Sequence, residues 1–151
     1  MSAATVNLRI QAAKLASLAS QKKRAVVADD SATILHAICT LLEHHRVVEI
    51  VGRAESGSEA IDRVNELRPE LVLLDADMPG MSGLRTALLI SQMHPEVEVL
   101  LMSMETSVHF RTACAGCGAA ATIYKPRFLQ ELRAFLQRGT QKARASLGLK
   151  A

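Results

Sequence analysis

The sequence predicts an α/β protein, a single domain built as a doubly wound parallel sheet of (βα)5 form. Three observations predict it. Five short apolar runs lack polar alternation, helical patterns separate them, and charged or polar residues stand where most of the runs stop. Strands covered on both faces by crossover helices read this way.

Taken in order, Arg24 to Ala28 is the first run, and it stops at Asp29-Asp30. Over residues 32–44, Ile34, Leu35, Ile38, Leu41 and Leu42 fall on one helical face. Val47 to Val51 reads as the second strand. Ser56-Gly-Ser-Glu59 has capping-box spacing and opens a helix with Ile61, Val64 and Leu67 on one side. Pro69 ends that helix. Leu71 to Leu74 is the third strand and leads into Asp75. Pro79, Gly80 and Gly83 mark a loop, and Leu84, Leu88 and Met93 belong to a third helix that stops before Pro95. Val97 to Met102 is the fourth strand, residues 107–116 a weaker helix, and Ala120 to Tyr124 the fifth strand. Phe128, Leu129, Leu132, Phe135 and Leu136 form a strong last helical face. The strand order 2-1-3-4-5 is that of the flavodoxin-like fold class, not one read from the residues.

Composition agrees. Of 151 residues, 49% are hydrophobic, with no Trp and one Tyr, so the core is aliphatic. No apolar run approaches the ~20 residues a membrane span needs, and no secretory signal pattern opens the chain. Charge divides it. Residues 1–24 hold Arg9, Lys14, Lys22, Lys23 and Arg24 and no acid, residues 127–151 hold six bases and one acid, and the middle is acidic. The expected organisation is a basic extension over 1–22 (a helix or a disordered arm, with Leu8, Leu15 and Leu18 as apolar positions), a domain over 23–138 and a basic tail over 139–151. These flanks lack the interleaved aromatics of a single-strand-binding surface.

The odd cysteine count, Cys39, Cys114 and Cys117, points to a reducing cytoplasm. Cys114-Ala-Gly-Cys117 has no second Cys or His pair at zinc-like spacing, so it reads as helix-end packing. His44-His45 suits a helix C-terminus electrostatically. Met78, Met81, Met102 and Met104 read as packing around the loops.

Ligands of open α/β sheets bind beyond the carboxyl ends of the strands, at the switch point. There the first strand ends at Asp29-Asp30 and the third at Asp75. Three like charges in one crevice oppose one another unless a cation joins them, and oxygen-only ligands favour Mg²⁺. Ser103 closes the fourth strand and Lys125 the fifth. Carboxylate, metal, hydroxyl and ammonium supply a nucleophile, a charge neutraliser, a hydrogen-bond donor and a cation, the parts of a phosphoryl-transfer site.

Asp29-Asp30, Leu73-Leu-Asp-Ala-Asp-Met-Pro-Gly-Met-Ser-Gly83, Ser103 and Tyr124-Lys-Pro126 resemble the response-regulator receiver (CheY-like) family over about residues 24–137. Val48-Glu-Ile-Val-Gly-Arg-Ala54 and His94-Pro-Glu-Val-Glu-Val99 resemble its LuxR/FixJ-type members. The resemblance implies a two-component signalling protein that is not an enzyme beyond its own phosphorylation and dephosphorylation. It implies that Asp75 takes a phosphoryl group from a sensor histidine kinase, a phosphotransfer protein or a small phosphodonor. Asp30 then binds Mg²⁺ directly, Asp29 through water, Asp75 with them, and Asp77 through its backbone carbonyl. Ser103 and Lys125 contact the phosphoryl oxygens and shift a face around the fourth helix and fifth strand. A homodimer through the fourth and fifth helices of the (βα)5 unit is a candidate assembly. Family members commonly carry an aromatic residue three positions before the lysine. Here that position is Thr122, and Tyr124 alternates to the opposite sheet face from Lys125. Asp77 and Glu105, each two residues past a site residue, are expected to tune hydrolysis of the aspartyl phosphate.

No helix-turn-helix follows residue 137, so DNA binding is not expected from this chain alone. Two other readings remain. One is a small phosphatase or phosphotransferase of similar fold, for which Asp77 supplies the second acid. The other is a phosphorylation-independent adaptor.

Overall fold

A computed structural model describes residues 2–148, and for residues 18–20 the backbone alone. Six helices and five strands alternate: α1 (Ala3–Ser20), β1 (Arg24–Ala28), α2 (Ala32–His45), β2 (Glu49–Ala54), α3 (Gly57–Leu67), β3 (Leu71–Asp75), α4 (Gly83–Met93), β4 (Glu98–Ser103), α5 (Val108–Gly116), β5 (Ala121–Tyr124) and α6 (Phe128–Ser146). A single turn of 3-10 helix, Lys125–Arg127, joins β5 to α6. The strands are parallel in the order β2-β1-β3-β4-β5, as expected.

Alternation along the strands divides the core in two. Ala25, Val27, Leu71, Leu73, Leu100 and Met102 face α2 and α6, meeting Leu35, Ile38, Cys39, Leu42, Phe128 and Leu132. Val26, Ala28, Val72, Leu74, Val99 and Leu101 face α3, α4 and α5, meeting Ala60, Val64, Ala87, Ile90 and Cys114. Each fully buried Leu stabilises the fold by about 2 kcal/mol. β3 is buried at all five positions, so its last residue, Asp75, stands on the most enclosed strand.

Several boundaries differ from the sequence reading. α2 buries Leu35, Ile38, Cys39 and Leu42, while Ile34 and Leu41 face solvent. The apolar stripe lies one position round from the expected face, with Cys39 inside it. β2 begins at Glu49, not Val47. Arg46 takes a left-handed conformation, and the Val47 N–H returns to the Leu42 carbonyl at 3.3 Å, so Val47 and Val48 close the end of α2. In α4, Leu88 and Met93 are exposed, and Thr86, Ala87 and Ile90 are buried.

At the ends, the N-terminal extension is a helix, and its Leu8 is exposed whereas Leu15 is half-buried. The Leu18 side chain lies outside the described residues. α6 runs to Ser146, past residue 138, its exposed residues 137–146 holding no helix breaker other than Gly139. Residues 149–151 of the expected tail lie outside the described residues.

The cysteine pair packs inside, as expected. Cys114 and Cys117 are buried, and burial pushes the Cys114 thiol up to about 11, leaving little thiolate at neutral pH. His44 and His45 end α2 in an edge-to-face pair. Met78 and Met102 are buried packing, while Met104 is exposed. Buried His94 ties α3 to the end of α4. Its Nε2–H donates to Asn65 Oδ1 at 2.7 Å, and Arg68 Nη1 donates to its Nδ1 at 3.0 Å.

Two glycines test this packing. A Cβ on Gly83 would lie 2.6 Å from Ala76 Cα and collide with the Asp75 carbonyl, whereas one on Gly139 meets nothing. Gly83→Ala is therefore expected to lose about 3 kcal/mol. Gly139→Ala, inside an exposed helix, is expected to gain about 0.5 kcal/mol. Urea unfolding followed by circular dichroism measures both.

Candidate functional site

The site forms where the chain crosses from β1 and β3 to opposite sides of the sheet. The Asp29 N–H pairs with the Ala54 carbonyl at 3.1 Å, which extends β1 by one residue and fixes the Asp29 backbone. The Ser31 N–H then donates to Asp29 Oδ1 at 3.0 Å, and Ser31 caps α2 by accepting the Ile34 N–H. On β3, the Ala76 N–H bonds the Met102 carbonyl at 2.9 Å, and the Gly83 N–H returns to the Ala76 carbonyl at 3.0 Å. The loop after Asp75 is thus folded back against the strand that carries it. Pairing sets Asp75 beside Met102, and Ser103 beside Tyr124.

Carboxylate oxygens of Asp29, Asp30 and Asp75 all lie within 4.8 Å of one another. Asp29 and Asp75 are 1% and 4% exposed, and Asp30 is exposed. Lys125 reaches in from the end of β5. Its Nζ donates to Asp29 Oδ2 and to Asp75 Oδ1, each at 2.9 Å. Ser103, 1% exposed, stands at the end of β4 with its hydroxyl accepting the Glu105 N–H at 3.0 Å. Asp77 is exposed. Among the described residues, no buried side-chain nitrogen or oxygen lacks a hydrogen-bond partner.

Two unit charges within 4.8 Å of each other repel by about 3 kcal/mol or more at the effective dielectric of a protein site. One lysine cannot neutralise three carboxylates. Burial, with Asp29 beside it, raises the Asp75 carboxyl above its ordinary value despite the opposing pull of Lys125 and the Asp77 N–H. Burial works against the Lys125 charge too, but its two carboxylate partners outweigh it and hold the ammonium above its ordinary value. An all-oxygen cluster with surplus negative charge and one exposed member is chemistry that suits a hard divalent cation.

The structure brings together Asp29, Asp30, Asp75 and Lys125, with Ser103 on the neighbouring strand end. Sequence reasoning missed the direct bridge from Lys125 to both buried aspartates. It also missed the hydrogen bond between Glu105 and Ser103. No spacing rule signals either, since both depend on where separate strands end.

A doubly wound sheet with this cluster at its switch point defines an α/β domain of the class that binds ligands at the carboxyl ends of its strands. The family model described as the response regulator receiver domain matches residues 25–137, and the chain belongs to that family, the receiver domains of two-component signalling. It is similar to the response regulator GacA of Pseudomonas protegens, 32% identical over 109 residues, 72% of this chain and 51% of that protein. A protein-glutamate methylesterase/protein-glutamine glutaminase of Geobacillus kaustophilus is 36% identical over 104 residues, 68% of this chain and 30% of that protein. Among solved structures, the signal receiver domain of NarL from Mycobacterium tuberculosis superposes with a TM-score of 0.72 at 26% identity, covering 80% of this chain and 98% of that one. The chain spans about half the length of the GacA relatives it matches. Among the described residues, no helix is long and apolar enough to cross a membrane.

The raised Asp75 value carries a sign. The fold holds the ionised carboxylate less readily than the unfolded chain does, so ionisation costs stability. That cost is complete above the raised folded value and fades as pH falls through it. Without divalent ions, Asp75→Asn is expected to melt above the parent at pH 7, with the gap narrowing in acid. Thermal melts by circular dichroism across pH check it.

Proposed function

We propose that Asp75 is the phosphoacceptor of this receiver domain. The supporting observation is the bridge from Lys125 to Asp29 and Asp75, which sets a cation against the nucleophilic carboxylate. An Asp75 oxygen attacks the phosphorus of a phosphohistidine on a sensor histidine kinase or phosphotransfer protein. The P–N bond breaks, its electron pair stays on the imidazole nitrogen, which takes up a proton, and an acyl phosphate forms. Lys125 and Ser103 then take the phosphoryl oxygens, as ammonium and hydroxyl donors.

Asp30, Asp29, Asp75 and the Asp77 backbone carbonyl would hold Mg²⁺. Asp29 already accepts bonds from Lys125 and Ser31, which favours Asp30 as the directly bound carboxylate and Asp29 as the one reached through water. When bound, the ion supplies positive charge to the carboxylates and to the phosphoryl oxygens. The chain acts stoichiometrically, as a signalling protein of the cytoplasm and not as an enzyme with an outside substrate. Exposed Met104, in the loop before α5, and Val108, the first residue of α5, lie on the face we assign to partner binding, a second copy included.

Incubation with Mg²⁺ and acetyl phosphate is expected to add one phosphoryl group by intact mass. The gain should be labile to hydroxylamine, and absent without Mg²⁺ and in Asp75→Asn. No gain, or multiple turnover with phosphate release, would instead favour an adaptor or a phosphatase.

A further inference from the structure

We propose that Gly57 is a positioning residue for the divalent cation: lacking a side chain, it lets the first turn of α3 close on Met81 and Thr86, and that contact holds the loop carrying the Asp77 carbonyl. The inference rests on the reading of Asp75 as phosphoacceptor with a bound cation, and it names what sets the backbone ligand of that site.

The loop runs from Ala76 to Ser82, between β3 and α4. Its start is tied to the sheet by the Ala76 N–H, which donates to the Met102 carbonyl at 2.9 Å. The Gly83 N–H, donating to the Ala76 carbonyl at 3.0 Å, ties its end to its start. In between, Met78 is buried, while Asp77, Pro79, Gly80 and Ser82 are exposed. The stretch that holds the Asp77 carbonyl therefore owes its place to few contacts, and one of them comes from α3.

That contact is close. A Cβ on Gly57 would lie 2.2 Å from Thr86 Oγ1, 3.0 Å from the Met81 carbonyl oxygen and 3.2 Å from Met81 Cβ. Gly57 is the buried first residue of α3, and its backbone is not in the left-handed region. Glycine is a poor helix former. What it supplies at this position is room for the backbone of one element against another.

Neither side gives way easily. On α3, a capping box pins the first turn: Ser56 Oγ accepts the Glu59 N–H at 3.1 Å, and Glu59 Oε2 accepts the Glu55 N–H at 2.9 Å. On α4, the Thr86 hydroxyl donates to the Ser82 carbonyl at 2.9 Å, so turning it away from an added methyl breaks that bond. The Met81 carbonyl is main chain and cannot turn alone. In a close-packed interior an added methyl must displace something. Ala76 and Gly83 are bonded to each other and to the sheet, so the part that yields is 77–82. Groups that orient a metal ligand from outside typically carry about 10–100-fold of metal affinity.

Titration of the full chain with Mg²⁺, followed by amide NMR shifts, reads metal affinity with no phosphoryl chemistry, and the same spectra show whether each variant is folded. Gly57→Ala should bind Mg²⁺ about tenfold more weakly than the parent. The Mg²⁺ concentration that gives half the maximal rate of labelling by acetyl phosphate should rise by the same factor. Gly139→Ala, whose added methyl meets nothing, should bind like the parent. In Thr86→Ala the nearest obstacle is gone, so adding Gly57→Ala there should weaken binding by less than it does in the parent. Should Gly57→Ala not fold, the Thr86→Ala pair decides: Gly57→Ala must still weaken binding, because Met81 remains in its way. A folded Gly57→Ala that melts lower yet binds Mg²⁺ like the parent overturns the inference alone, as does equal affinity within the pair. A parent that binds no Mg²⁺ and gains no phosphoryl group overturns the phosphoacceptor reading and this inference with it.

Discussion

Lys125 reaches two buried carboxylates from a strand that is adjacent to neither. Asp29 ends β1 and Asp75 ends β3, and β4 stands between β3 and β5. The ammonium therefore spans the carboxyl edge of the sheet and offsets charges that would otherwise push that edge apart. Remove it, and two buried anions face each other with backbone N–H groups as their remaining donors. The loop after Asp75, the turn after Asp29 and the 3-10 turn after Lys125 all start from the residues of this bridge, so the site's shape depends on it.

The bridge is incomplete as a neutraliser, and that incompleteness is chemically useful. A cluster balanced by its own lysine would attract a divalent cation less strongly. Here one exposed carboxylate and one buried, raised carboxyl remain in surplus. The fold bears a local electrostatic cost that ligands can relieve, and stability and chemistry are linked through the same few oxygens.

Much of this was legible in the sequence for a physical reason. β1, β3 and β4 are buried on both faces, so burial dictates almost every residue in them, and a run such as Leu71 to Leu74 fits little but an enclosed strand. Site residues at strand ends follow once the strands are placed. The edges were less legible. Val47 and Val48 look like strand, yet they close α2 beyond Arg46, an arginine in a conformation usually left to glycine. The stripe of α2 was misplaced because Cys39 packs as a small hydrophobe while Ile34 and Leu41 tolerate water. The bond between Ser103 and Glu105 left no pattern at all, since serine and glutamate are ordinary residues in any exposed loop.

Asp29 and Asp75 stand on strands enclosed on both sides, while everything from Met104 to His109 lies in water. The site is thus half anvil and half spring. Charge deposited on the anvil cannot displace it, because the core behind β3 is close-packed and yields little. Any strain must be taken up on the other side.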